Sequence, residues 1–169
     1  MKDDAGFKVV NGTTKLIFKC DLNVSKKTIK EMSKKLGISW INPRVTDKDY
    51  PLLDSHLGRW HVEVLRFQKK MKFEDIVHAI KKDGWLPASV HHLLALLKSA
   101  EGQTLSRSLM APSSLSIDDF EYPGCVVLSI VGDDKKLGLG NWRGSKIGEY
   151  DVVRVKRLES RSKSTKDVD

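Results

Sequence analysis

Cysteine is almost missing from this chain: of 169 residues only Cys20 and Cys125 carry a thiol, and no CxxC spacing joins them. Two cysteines so far apart read as buried thiols rather than as a bridge. Histidine is nearly as scarce. His56, His61, His78, His91 and His92 make no HExxH and no Cys/His ligand pattern, so no metal is expected. The adjacent pair His91 and His92 would project about 100° apart on a helix and so could not simply clamp one ion. No apolar run approaches the ~20 residues that span a bilayer. The opening Met1-Lys2-Asp3-Asp4 has none of the hydrophobic character of a signal peptide, and the expected location is cytoplasmic.

The signatures of common enzymes are missing too. Gly138-Leu139-Gly140 and the glycines after it match neither a Rossmann fingerprint nor a Walker loop, and there is no Gly-x-Ser-x-Gly elbow. The carboxylate pairs Asp118-Asp119 and Asp133-Asp134 are what turns ordinarily use. No catalytic residue, cofactor or metal is therefore assigned, and a non-enzymatic role is the favoured expectation.

What the chain does have is positive charge, unevenly spread. The net charge is +8. Residues 1–100 carry 19 Lys/Arg against 11 Asp/Glu (+8), residues 101–150 carry 5 against 7 (−2), and the rest 6 against 4 (+2). A basic N-terminal half attracts polyanions or an acidic protein surface. A length of 169 residues suits one domain with a core of its own, here residues 7–158, between a short tail (1–6) and a charged, serine-rich, disordered tail (159–169).

The chain is organised around Asp83-Gly84-Trp85-Leu86-Pro87-Ala88-Ser89. Gly84 can take the left-handed conformation that closes a helix near Lys82, and Ser89 can cap a new one. Val90, Leu93, Leu94 and Leu97 then recur at the spacing of one helical face. Upstream, residues 7–10 and 13–21 read as a hairpin about Asn11-Gly12, with Leu16, Phe18 and Cys20 on one face. Ser25 is the expected cap of a helix reaching Leu36, with Ile29, Met32 and Leu36 inward and Gly37 as its stop. Residues 38–51 hold two prolines and read as a loop with at most a short strand at Trp40-Ile41. Residues 59–67 read as a strand, Lys69 to Lys72 as a basic turn, and Phe73, Ile76, Val77 and Ile80 as a helix face. Later come a short strand within 105–110, an apolar strand at 125–131 covered on both faces, a turn at 132–135 and a last strand at 150–155.

These elements predict an α+β fold: about three helices packed on a mainly antiparallel sheet. Two surfaces stand out. Trp40, Arg44, Tyr50, Trp142 and Arg143 are aromatic and guanidinium groups suited to contact another macromolecule. Lys26, Lys27, Lys30, Lys34 and Lys35 line the outer face of the first helix and suit a phosphate backbone. The first reading is an interaction protein of unknown, preferably protein, partner; the second a nucleic-acid-binding accessory protein. A third, an enzyme of unknown reaction, would need a deep pocket with convergent polar groups.

Several strings resemble an uncharacterised family of small proteins from candidate-phyla-radiation (Patescibacteria) bacteria: Ser39-Trp40-Ile41-Asn42 with Val45-Thr46, Gly84-Trp85-Leu86-Pro87-Ala88 leading to Leu93-Leu94-Ala95, Leu137-Gly138-Leu139 with Trp142, and Val152-Val153-Arg154-Val155-Lys156. That resemblance implies an architecture and no activity. Gly84-Trp85-Leu86-Pro87 and Val153-Arg154-Val155 also resemble C-type-lectin-like domains of the formylglycine-generating-enzyme type, though Gly84-Trp85-Leu86-Pro87 lacks the arginine of the Gly-Trp-Arg-Leu-Pro string found there. This likeness implies a binding surface in 132–148. Cys20 and Cys125 are not placed as that enzyme's cysteine pair, so its oxidase activity is not implied.

Overall fold

In chain order the elements are β1 (Val9–Asn11), β2 (Thr14–Val24), α1 (Ile29–Lys35), β3 (Trp40–Ile41), β4 (Gly58–Phe67), β5 (Met71–Lys72), α2 (Phe73–Lys81), β6 (Leu86–Pro87), α3 (Val90–Lys98), β7 (Leu109–Ala111), β8 (Gly124–Val131), β9 (Asp134–Asn141), β10 (Lys146–Ile147) and β11 (Asp151–Arg157). The computed structural model describes residues 9–11, 14–99, 101–113, 124–141, 146–147 and 150–158. The two tails, the Gly12 tip of the first hairpin, the end of the serine-rich stretch and the loop carrying Trp142 and Arg143 lie outside the described residues.

The main sheet runs β1-β2-β4-β11-β7-β8-β9-β3, with β6 also pairing to β11. All its pairs are antiparallel except β7 with β11 and β3 with β9, and with three helices the α+β expectation holds. Strand β11 lies at the middle, with β4 along one side and β7 and β6 along the other.

The corner after α2 folds as its residues dictate. Gly84 has φ +77° at the end of a 3-10 turn, and Ser89 caps α3, its hydroxyl accepting from the His92 amide. Between them Leu86 and Pro87 also make two rungs with β11, a strand too short to read from sequence. Helix α3 is buried almost all round, not on one face only: Val90, His91, His92, Leu93, Leu94, Leu96 and Leu97 are all inside. Truncating a leucine here, Leu93 for instance, should cost about 2–5 kcal/mol.

Two cores flank the sheet. On one side α1 and α3 cover Leu22, Trp60, Val62, Val126, Leu128, Val153 and Val155; on the other α2 covers Phe67, Met110, Cys125, Val127 and Val152. Strand β8 feeds both, as its apolar run predicts. Both cysteines are free and buried, and burial pushes the Cys20 thiol up to about 11 and the Cys125 thiol well above its ordinary value.

Several local expectations are corrected. On β2 a register shift separates Leu16, opposite Leu65, from Phe18, opposite Val64, so Leu16 faces away from Phe18 and Cys20. The cap of α1 is Thr28, not Ser25: Thr28 and Glu31 exchange hydrogen bonds of 3.0 Å in a capping box, and Asp47 accepts the Ile29 amide at 2.8 Å. Ser25 stands before this pair and lacks its reciprocal partner. Met71-Lys72 forms a strand with β10, and the turn into β9 is only Gly132-Asp133, with Asp134 already paired to Val131.

Candidate functional site

The capping box starts α1 with Thr28, and Ile29, Met32 and Ser33 turn inward, leaving Lys26, Lys30, Lys34 and Lys35 exposed and Lys27 half-buried. Packing of α1 on α3 brings in Lys98 from the last turn of α3. The charges of Lys27 first and Lys98 next hold the Lys35 ammonium below its ordinary value. None of these lysines forms an ion pair among the described residues. The crevice between the helices, lined by Lys27, His91 and Lys98 among others, has about 20 Å³, room for one water. Any partner here therefore binds a charged surface rather than a pocket. Of the five lysines expected on the helix face, Lys30, Lys34 and Lys35 are on α1 while Lys26 and Lys27 precede it, and Lys27 and Lys35 act on each other across the cap; Lys98, distant in sequence, could not be read from the helix pattern alone.

The aromatic set fares differently. Trp40 is 47% exposed, held at the sheet edge by Ser39 N–H donating to Lys135 O at 2.9 Å and Asn42 N–H to Leu137 O at 2.8 Å. Arg44 is exposed in the following turn, where Asn42 Oδ1 accepts its amide at 3.0 Å. Tyr50 is not on this surface. At 4% exposure it belongs to the core beside α3, and its carbonyl accepts from His91 Nε2 at 3.0 Å. The loop folds back over α3, and burying the ring is what anchors it. Trp142 and Arg143 lie outside the described residues.

A histidine cluster that sequence reasoning missed joins this loop to α3. The His56 ring centroid lies 5.6 Å from that of His91 and 5.8 Å from that of His92, and His92 meets Trp60 edge-on at 4.6 Å. Trp60 Nε1 donates to His56 O at 2.8 Å, and the Arg157 guanidinium stacks 4.2 Å over Trp60 while donating to the carbonyls of Leu57 and Ser55. Ser89 N–H donates to His92 Nδ1 at 3.0 Å, which places the His92 proton on Nε2, a buried atom with no partner among the described residues. Burial, then His56, His91 and Arg157, lower His92 from 6.5 to about 3; burial also lowers His56 and His91. The cluster is neutral and acts as a clamp. Among the described residues no three ligand-type side chains are grouped to hold a metal. One sign was legible: His92 stands three residues after Ser89, where a capping box commonly has Glu or Gln.

On the α2 side of the sheet, Arg154 and Glu63 form a buried pair, with Nε and Nη2 donating to Oε1 at 3.0 and 2.6 Å. Trp85 covers it, its ring centroid 4.3 Å from the Arg154 guanidinium carbon and 5.6 Å from His61. No helix of the described residues is long and apolar enough to cross a membrane. Comparison with protein-family models, curated proteins and solved structures finds no match for this chain.

Proposed function

We propose that this protein is a non-enzymatic binding protein whose partner is a polyanion, nucleic acid foremost, held by its backbone on Lys26, Lys27, Lys30, Lys34, Lys35 and Lys98. The observation that supports this reading is the meeting of Lys27, just before α1, Lys35 on α1 and Lys98 on α3, none of them in an ion pair among the described residues and Lys35 held below its ordinary proton affinity by the other two. Lysines kept only for solubility are better spread apart; crowding them costs repulsion that an anionic partner relieves. Trp40, exposed shortly after α1, adds a ring on which an unpaired base can stack.

The test is fluorescence anisotropy with labelled single-stranded and duplex oligonucleotides across salt. Affinity should fall steeply between about 50 and 200 mM salt. Changing Lys27, Lys35 and Lys98 to Gln should weaken binding to all sequences alike and lower the salt slope by about one per lysine. Binding absent at low salt, or unchanged in the triple variant, overturns the reading. The exposed pair Trp40 and Arg44 favours a second reading, a protein partner. Affinity capture with and without nuclease separates the two, because a stoichiometric protein that survives nuclease belongs to the second.

A further inference from the structure

Away from the lysine face, a cleft of about 470 Å³ opens between β2, β4, the start of β11 and the segment joining α3 to β7. Its apolar lining is Ile17, Phe18 and Leu105, each partly buried and packed on the larger core, so that wall is fixed by the fold. Its polar centre is built on one carboxylate. Asp151, with 2% of its side chain exposed, takes a two-pronged bond from Arg66, Nε to Oδ1 and Nη2 to Oδ2, each at 2.9 Å. Arg107 Nε lies 3.4 Å from the same Oδ1, and both guanidinium side chains are 38% exposed.

Arg66 alone suffices to neutralise Asp151, and Arg107 stands beside the same oxygen as a second guanidinium. Lys19 and Glu101 also line the cleft. The bond to Asp151 uses the Nε–Nη2 edge of Arg66. Its Nη1 group and second Nη2 hydrogen have no partner among the described residues. A planar fork held rigid on one edge and open on the other is suited to grip a second oxyanion in two-pronged fashion. The cleft's size, its apolar wall and its few fixed polar groups are those of a small-molecule site.

We propose that this cleft binds a small organic oxyanion, a carboxylate or phosphate ester on a compact apolar body. The oxyanion lies against the guanidiniums of Arg66 and Arg107, and the body against Phe18 and Leu105. Asp151 is a positioning residue that holds the fork. The site shares no residue with the lysine face, so the two stand or fall separately.

The test is titration of the full chain with benzoate, phenyl phosphate and inorganic phosphate, followed by the Nε–Hε NMR signals of Arg66 and Arg107. Benzoate and phenyl phosphate distinguish a carboxylate from a phosphate ester as the preferred group. Saturable shifts of both signals are expected for at least one of them, with an affinity about tenfold or more above that of inorganic phosphate. Arg66→Gln should weaken that probe about tenfold or more, whereas Lys27→Gln and Lys35→Gln leave it unchanged. Guanidinium signals unmoved by every probe at millimolar concentration overturn the proposal, as does inorganic phosphate binding equally well. Because both readouts use the unaltered chain, they decide even where Arg66→Gln fails to fold.

Discussion

Lys27, Lys35 and Lys98 meet on an open surface and none is ion-paired among the described residues, whereas Arg66 and Arg154 each lie against a buried carboxylate inside the sheet. Both sheet pairs bridge the same two strands. Arg66 reaches from β4 to Asp151 on β11, and Arg154 reaches from β11 to Glu63, its direct opposite on β4. Strand alternation puts the two bridges on opposite faces. A slip of one residue between β4 and β11 would turn Arg154 toward the core under α1 and α3 and break both bridges. The arginines therefore specify how the chain pairs with itself. Among the described residues Lys27, Lys35 and Lys98 pair with no carboxylate, which is why they are the candidates for a polyanion.

The sharpest way to break this contrast is to remove one member of a buried pair. Glu63→Ala should leave Arg154 charged and unpaired and lower stability by about 3–5 kcal/mol in urea unfolding. An equal loss from Lys34→Ala would erase the distinction. Acid should give the next largest effect. His92 has its folded pKa lowered to about 3, so the unfolded chain takes up the proton first as pH falls. Its stabilisation is whole above its ordinary value and is lost progressively below it, roughly 3 kcal/mol by pH 4. His92→Gln should flatten that part of the pH profile, and a variant profile as steep as the parent's would contradict the clamp. A smaller change is expected from Thr28→Ala, which removes the α1 cap and should cost about 1 kcal/mol. Smallest is Lys35→Gln, which should leave the urea-unfolding midpoint unchanged or slightly raised, since it relieves repulsion from Lys27 and Lys98.

What could be read from sequence was what neighbours in the chain decide. Gly84 and Ser89 bound their helices because a left-handed glycine and a capping hydroxyl act within a turn. The both-faced burial of β8 followed from its unbroken apolar run. The misses were settled by distant partners. Thr28 prevails over Ser25 because Glu31 completes its capping box and Asp47 meets the next amide. Tyr50 is buried because α3 lies beneath its loop, and β5 and β6 exist only because β10 and β11 supply the other half of each ladder. For the candidate sites, Lys30, Lys34 and Lys35 were legible as helix residues, while the later cap at Thr28 leaves Lys26 and Lys27 before α1. The arrival of Lys98, the histidine clamp and the Arg66–Asp151 fork were not, since each joins segments that only tertiary packing brings together.

The position of β11 has a consequence for synthesis. Its residues are made after every other described strand, yet they fill the slot between β4 and β7. A nascent chain stopped short of residue 151 would present two raw edges facing an empty groove, both ready to pair with a neighbouring chain. The ribosome must therefore deliver the keystone before the arch can stand.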